Sequence, residues 1–92
     1  MLIEELIPAA RKAQNEEAVA YYLSLLGNGL RLQSYFGDDD LKASFMSRAD
    51  AVYVEAIAVA VANLPPSNYI RILVIYAYAL YYHDLLFDTK HQ

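Results

Sequence analysis

Apolar residues recur along this chain at the three- and four-residue spacing of amphipathic helices, and no segment shows the strict alternation of a half-buried strand. The pattern is broken at Gly27-Asn28-Gly29, at residues 37–40 and at Pro65-Pro66-Ser67. These breaks predict four main helices and a short extra helix over residues 30–36. The main helices are predicted at residues 2–14, 15–26, 40–63 and 67–88. The expected fold is an all-α, compact bundle, formed as a single helical domain over residues 1–92 with a frayed tail at about 89–92.

Capping residues predict where the helices begin. Asn15 is placed to cap the second helix, and Ser67 or Asn68 to cap the fourth. Pro8 indicates either a kink in the first helix or the first turn of a restarted helix. The first two helices are equally compatible with one long helix.

The third and fourth helices carry the strongest burial signals. In the third helix, residues at alternating four- and three-residue spacing predict a buried stripe, formed by Leu41, Phe45, Ala49, Val52, Ala56, Val59 and Asn63. A second stripe beside it contains Met46, Tyr53, Ile57 and Leu64. The fourth helix is apolar on every side from Ile72 to Tyr82, which predicts that it fills the centre of the bundle.

The apolar content is high for so short a chain. Of the 92 residues, 58% are hydrophobic, and they include nine tyrosines and three phenylalanines. A domain of this size buries only about 60% of its unfolded surface. Such a surplus of apolar surface predicts self-association or a docking partner.

The charge balance disfavours two classes of partner. A net charge of −4 opposes non-specific binding to nucleic acid, which requires clustered basic residues, and it opposes binding to an anionic membrane. The N-terminus lacks the basic and apolar regions of a signal peptide. The longest uncharged helical run, Ile72–Tyr82, is shorter than the ~20 residues of a membrane span. With no cysteine in the chain, these features favour a cytoplasmic protein.

Two clusters resemble parts of metal sites, but each has a simpler structural explanation. His83-Asp84 with Asp88 lacks the spacing of a zinc or di-iron motif, and a histidine near a helix C-terminus favours the helix dipole. The acidic residues 38–40 lack the alternating spacing of a calcium loop, and helix capping explains them. We therefore expect neither a metal nor a cofactor.

Glu55 lies in the most apolar part of the third helix. A buried carboxylate there would be a functional candidate, because burial raises its pKa. Pairing with an arginine is the favoured alternative, with Arg48, Arg31 or Arg71 within reach.

Motifs of catalysis are absent from the sequence. None of its serines lies in a G-x-S-x-G elbow, and neither a phosphate-binding loop nor a dinucleotide-binding motif is present. With two histidines and no cysteine, the chain is not expected to be an enzyme.

The tyrosines are the candidate partner-binding residues. Tyr78, Tyr81 and Tyr82 follow the i, i+3, i+4 spacing, so they share one helical surface, and Tyr21 and Tyr22 form a second candidate contact. Tyrosine is enriched at binding hot spots, because it buries much area with little loss of rotamer freedom. Core packing is the alternative for the first cluster. A core position is favoured for two further tyrosines, Tyr53 and Tyr76.

An acidic, tyrosine-rich, cysteine-free helical chain of this size, with an Ala- and Val-rich third helix and the run Ile72–Tyr82, resembles a known group of subunits. These are the small accessory subunits that bind the replicative family B DNA polymerase of thermophilic archaea. The resemblance lies in whole-chain character and carries over no functional residue. It implies a non-catalytic subunit that contacts the polymerase and leaves the DNA to it.

Three functional hypotheses follow. The first is a non-enzymatic interaction module whose partner is another protein or a second copy of the chain. The second is a small nucleic-acid-binding regulator with a helix-turn-helix-like corner at Gly27–Gly29, where Arg31 and Gln33 would begin the recognition helix. The third is a bundle that binds a small molecule or a metal.

Overall fold

The computed structural model describes residues 2–90 and the side chains of residues 2–86. Its four helices are α1 (Leu2–Lys12), α2 (Glu16–Ser34), α3 (Asp39–Asn63) and α4 (Tyr69–Lys90). No strand occurs in this described part, so the predicted all-α class is confirmed. The frayed tail stays a prediction, because α4 ends at Lys90 and the two residues after it lie outside the described range.

The prediction of a separate short helix over residues 30–36 is wrong, because α2 continues without a break to Ser34. Neither glycine of Gly27-Asn28-Gly29 has the positive φ that would end a helix. Instead, Gly27 is buried where α2 meets α3, and its lack of a side chain allows the Tyr53 ring to approach. The helix-turn-helix-like corner that the second functional hypothesis required is therefore wrong as well.

Side-chain caps confirm the predicted helix starts. The Oδ1 atoms of Asn15 and Asp38 accept hydrogen bonds from backbone amides of α2 and α3, at 3.1 and 2.9 Å. Asn68 caps α4, since its Oδ1 accepts from the amides of Ile70 and Arg71 at 2.8 and 3.1 Å. Each of these bonds satisfies a donor that the first helical turn leaves without an intrahelical partner.

Helices α1 and α2 are separate. Gln14 adopts a left-handed conformation with φ of 57°, and the amide of Asn15 bonds to the carbonyl of Ala10 at 3.0 Å. This is the pattern that closes a helix C-terminus and redirects the chain. Pro8 lies inside α1 and does not begin a new helix.

The core is built mainly where α2 packs on α3. The buried face of α3 takes Ala49 and Ala56 from the first predicted stripe, Met46 and Tyr53 from the second, and adds Ala60, which neither stripe contained. The predicted outer members Leu41 and Asn63 are exposed. Three of the five buried residues are alanine, so α2 approaches α3 closely, and Tyr53 fills the space that Gly27 leaves.

The prediction that α4 is the central helix is wrong. That position belongs to α2, which contacts all three other helices. Helix α4 packs against α2 and α3 along one side, where Val74, Ala77 and Tyr81 are buried. Its opposite side faces solvent.

The bundle is flat. Its Cα atoms span 42 × 27 × 14 Å, about the thickness of two packed helices. Its accessible surface of 5896 Å² exceeds the roughly 5,400 Å² typical of a monomer of this mass. Within residues 2–90, none of the helices is long and apolar enough to cross a membrane.

Candidate protein-interaction surface

A groove runs between α2 and α4. It consists of two hollows of about 230 and 260 Å³ that share Tyr21. We call it the α2–α4 groove, and its lining residues are Asn15, Glu17, Ala18, Tyr21, Tyr22, Ser24, Leu25, Asn28, Arg31, Ile70, Leu73, Tyr76, Ala77 and Leu80. Most of this lining is aromatic or aliphatic, which is the character of a surface that accepts apolar side chains of a partner.

One end of the groove is polar. Arg31 lies 3.6 Å from the Asp84 carboxylate, which also accepts a hydrogen bond from the Tyr35 hydroxyl at 2.6 Å. The Nε atom of Arg31 is buried and has no hydrogen-bond partner among the described residues. The other hollow carries Asn15 and Glu17, so polar side chains lie at both ends of an apolar middle.

Two of the predicted partner-binding residues, Tyr21 and Tyr22, lie in this groove. Their ring centroids are 6.1 Å apart, and Tyr21 is the more exposed of the two. Tyr21 contributes to both hollows, whereas Tyr22 contributes to one. Tyr21 is therefore the residue whose substitution would alter the groove most.

The other three candidates form a packed cluster with Tyr53. Tyr81 stacks on Tyr78 at 5.8 Å and lies 5.2 Å from Tyr53, while Tyr82 meets the edge of Tyr78 at 5.0 Å. The predicted grouping of these tyrosines is thus observed. Tyr81, however, is only 3% exposed, so it packs in the core, the alternative that the sequence left open. Tyr82 is exposed and Tyr78 is half-buried.

A core position was predicted for both Tyr53 and Tyr76, and the prediction is right for only one of them. Tyr53 is fully buried and donates a hydrogen bond to Asn28 Oδ1 at 2.5 Å, which confirms its core position. Tyr76 is 61% exposed, so its predicted core position is wrong. It lies at the edge of the α2–α4 groove.

The sequence patterns missed part of the groove lining. Leu25, Leu73 and Leu80 have the spacing of ordinary helical core residues, and α2 and α4 are far apart in the sequence. Only the packing of the two helices brings these side chains together, so no local pattern marks them.

Burial shifts the titration of the tyrosine cluster. It raises the pKa of the Tyr53 hydroxyl from 10.0 to about 12, although the nearby Arg31 partly opposes this. Burial also raises the pKa of Tyr78 and of Tyr81, with further contributions from the Tyr82 hydrogen bond to Tyr78 and from the Asp50 charge. The folded state therefore holds these hydroxyl protons more tightly than the unfolded chain does.

We expect the protein to lose stability as the pH rises from about 10 to about 12, because the unfolded chain then releases protons that the fold retains. Below the unfolded pKa this contribution is fully present. Thermal unfolding followed by circular dichroism from about pH 8 to about pH 12, with tyrosinate absorbance recorded in parallel, measures the effect. In Tyr53→Phe the decline should be shallower. If stability fell equally steeply with pH in the wild type and in Tyr53→Phe, the assignment of this pH dependence to Tyr53 would be contradicted.

Glu55 pairs with an arginine, as predicted, but the partner is Arg11 of α1 and none of the three arginines considered from the sequence. Both side chains are about half exposed, so solvent screens this ion pair and its contribution to stability is small. The pair ties α1 to α3. It does not form a buried functional carboxylate.

The candidate metal residues serve other roles in the described region. Asp38 caps α3, and the His83 ring lies 3.8 Å from Asp84. Among the side chains described, no three His, Asp or Glu residues are arranged to hold a metal ion. Asp88, the third residue of the predicted half-site, lies outside the described side chains.

No protein-family model, curated protein or solved structure matches this chain. A function must therefore be argued from the surface itself.

Proposed function

We propose that this protein is a non-catalytic interaction module that docks, as an accessory subunit, onto a larger protein through the α2–α4 groove. The observation that supports this most is the pair of adjoining hollows between α2 and α4, which are lined mostly by apolar and aromatic side chains and share Tyr21. Tyrosine is among the residues most often found at the energetic centre of protein interfaces.

The shape of the groove favours a helical segment as the docking element. An amphipathic helix laid between two parallel ridges inserts side chains at three- and four-residue spacing. The two adjoining hollows each have room for one or two such side chains.

The resemblance to accessory subunits of archaeal family B DNA polymerases makes a DNA polymerase the first partner to test. The net charge of −4 agrees with a subunit that contacts the protein and leaves the nucleic acid to the polymerase.

The experiment is an affinity capture from a lysate of the source organism, with quantitative mass spectrometry of the co-eluting proteins. We expect one stoichiometric partner for the wild-type chain and at least a tenfold loss of capture for Tyr21→Glu, because the charge placed in the groove weakens binding by about 1.4 kcal/mol or more. Val54→Glu is the matched control, because Val54 is an exposed aliphatic residue on α3. Equal capture by the two variants would rule out the groove as the docking site.

Capture followed by direct titration decides the partner class. A purified DNA polymerase from the same organism should bind the wild-type chain in solution and bind Tyr21→Glu far more weakly. Binding of the wild-type chain to DNA alone, with no effect of the polymerase, would contradict the proposal.

A further inference from the structure

The solvent side of α4 carries a second apolar surface. Between residues 69 and 86 its exposed positions form what we call the α4 face, namely Tyr69, Ile72, Ile75, Tyr76, Ala79, Leu80, Tyr82, His83 and Leu86. His83 is the single ionisable group on this face other than the tyrosine hydroxyls. The exposed positions of α3, in contrast, are mostly small or polar.

The centre of the α4 face has the spacing of a helix–helix seam. Ile72, Ile75, Ala79, Tyr82 and Leu86 follow one another at intervals of three, four, three and four residues. This is the a/d repeat by which one helix packs along another with knobs in holes. In this fold the seam points away from α2 and α3, so no helix of the described chain covers it.

We propose that the α4 face binds the α4 face of a second copy of this chain, forming a two-fold symmetric dimer. The available area agrees with this occupant. With large side chains contributing roughly 150–250 Å² each when fully buried, the exposed fractions of the seven large apolar side chains give on the order of 550–950 Å² per copy when the whole face is covered. A standard-size interface buries about 800 Å² on each partner. The face also carries no Asp, Glu, Lys or Arg side chain, so little charge has to be desolvated when two copies meet.

The side-chain sizes favour an antiparallel pair. If the two-fold axis passes near residue 77, Ile75 of one copy opposes the small Ala79 of the other, and Ile72 opposes Tyr82. In the first of these pairs a large residue faces a small one, which fills space as close packing requires. A parallel, in-register pair would place Ala79 against Ala79 and leave a gap. The antiparallel arrangement also aligns opposite ends of the two helix dipoles.

This dimer is separate from the docking function proposed for the α2–α4 groove. The two surfaces share only the edge residues Tyr76 and Leu80. Ile75 lies on the side of the α4 face away from the groove, whereas Tyr21 lies in the groove and outside the α4 face. Variants at these two positions therefore test the two proposals independently.

The test is the oligomeric state of the purified full-length chain by sedimentation velocity over a concentration series up to about 100 µM, the range in which an interface of standard size is populated. We expect a dimer for the wild-type chain and for Val54→Glu, and a monomer for Ile75→Glu. Ile75 and Val54 are 43% and 49% exposed, so both glutamates enter at similarly exposed helical positions. Circular dichroism confirms that each variant remains helical.

A wild-type monomer at the highest concentration would overturn the proposal, as would a dimer that persists in Ile75→Glu. A dimer that responds only to Tyr21→Glu would place self-association in the groove and overturn it equally. Loss of dimer in Ile75→Glu with normal capture of a larger partner supports both proposals. If the wild-type chain forms a dimer that Ile75→Glu abolishes, but no larger partner is captured, the dimer proposal is supported and the docking proposal is not.

The orientation is tested by disulfide formation, because the chain contains no cysteine of its own. A mixture of Ile75→Cys and Ala79→Cys chains is oxidised and the products are weighed by mass spectrometry. The antiparallel dimer predicts mainly the mixed disulfide between the two variants. Mainly homodisulfides would overturn the antiparallel arrangement, and oxidation no faster than in Val54→Cys would overturn the dimer.

Discussion

Replacing Tyr53 with alanine is expected to lower the free energy of unfolding by about 3–5 kcal/mol, the range measured for removing large aromatic side chains from cores. Tyr53 is fully buried between α2 and α4, packs against the rings of Tyr78 and Tyr81, and bonds to Asn28. A small domain has only about 5–15 kcal/mol of stability, so this single change removes a large share of it. Urea unfolding followed by circular dichroism gives the difference.

Two variants separate the ring from its hydroxyl. Tyr53→Phe removes only the hydrogen bond to Asn28, so a loss of about 1 kcal/mol is expected. Tyr69→Ala is the matched control, because Tyr69 is 71% exposed and its removal leaves no cavity. Similar losses for Tyr53→Ala and Tyr69→Ala would contradict the account of the core.

Gly27→Ala is expected to lower the free energy of unfolding by about 1–2 kcal/mol, even though alanine favours a helix by about 1 kcal/mol over glycine. A Cβ atom at position 27 would lie 2.7 Å from Cε1 and 2.9 Å from Cδ1 of the Tyr53 ring. Since the ring is enclosed, it has little room to move, and overpacking of this kind typically costs about 1–3 kcal/mol. Chemical unfolding measures the change.

Gly29→Ala is the control for helix propensity. Gly29 lies in the same helix and is half-buried, so alanine there should be neutral or should stabilise by up to about 1 kcal/mol. A double-mutant cycle with Tyr53→Leu identifies the cause, because a smaller side chain at position 53 should relieve much of the Gly27→Ala loss. Additive losses would show that contact with Tyr53 is not the reason.

The helix starts were predictable because their causes are local. The caps Asn15 and Asn68 act on amides two or three residues away, and the breaks before α3 and α4 depend on nearby acidic or proline residues. Gly27 could not be interpreted in this way. Position 27 is a glycine because Tyr53 of another helix approaches the backbone there. In the sequence, such a glycine cannot be distinguished from one that ends a helix.

The position of α4 was mispredicted for a related reason. A helix that is apolar on all sides is expected to be buried all round, but the pattern does not tell whether the same chain or a partner covers it. Tyr76 illustrates this, since its spacing is that of a core residue although most of its side chain faces solvent. The composition shows that the chain has a surplus of apolar residues. Where the exposed ones lie is determined by how α4 packs against α2 and α3.

The candidate site was predictable only in part. Tyr21 and Tyr22 were identified as candidates because paired tyrosines are typical of binding surfaces, and they do lie in the α2–α4 groove. Tyr81 has the same chemistry but points into the core. The residue type thus indicated which side chains are suited to a protein interface. Only the tertiary structure determines which of these tyrosines face outward.

The central claim, that the α2–α4 groove docks a larger protein, is tested most directly by photo-cross-linking in lysate of the source organism. A photoreactive phenylalanine analogue replaces Tyr21 in one sample and the exposed Val54 of α3 in the other. The account predicts a single covalent adduct with a larger protein at position 21, competed by excess unlabelled wild-type chain, and none at position 54. Adducts of equal yield at both positions, or no specific adduct at position 21, would contradict it.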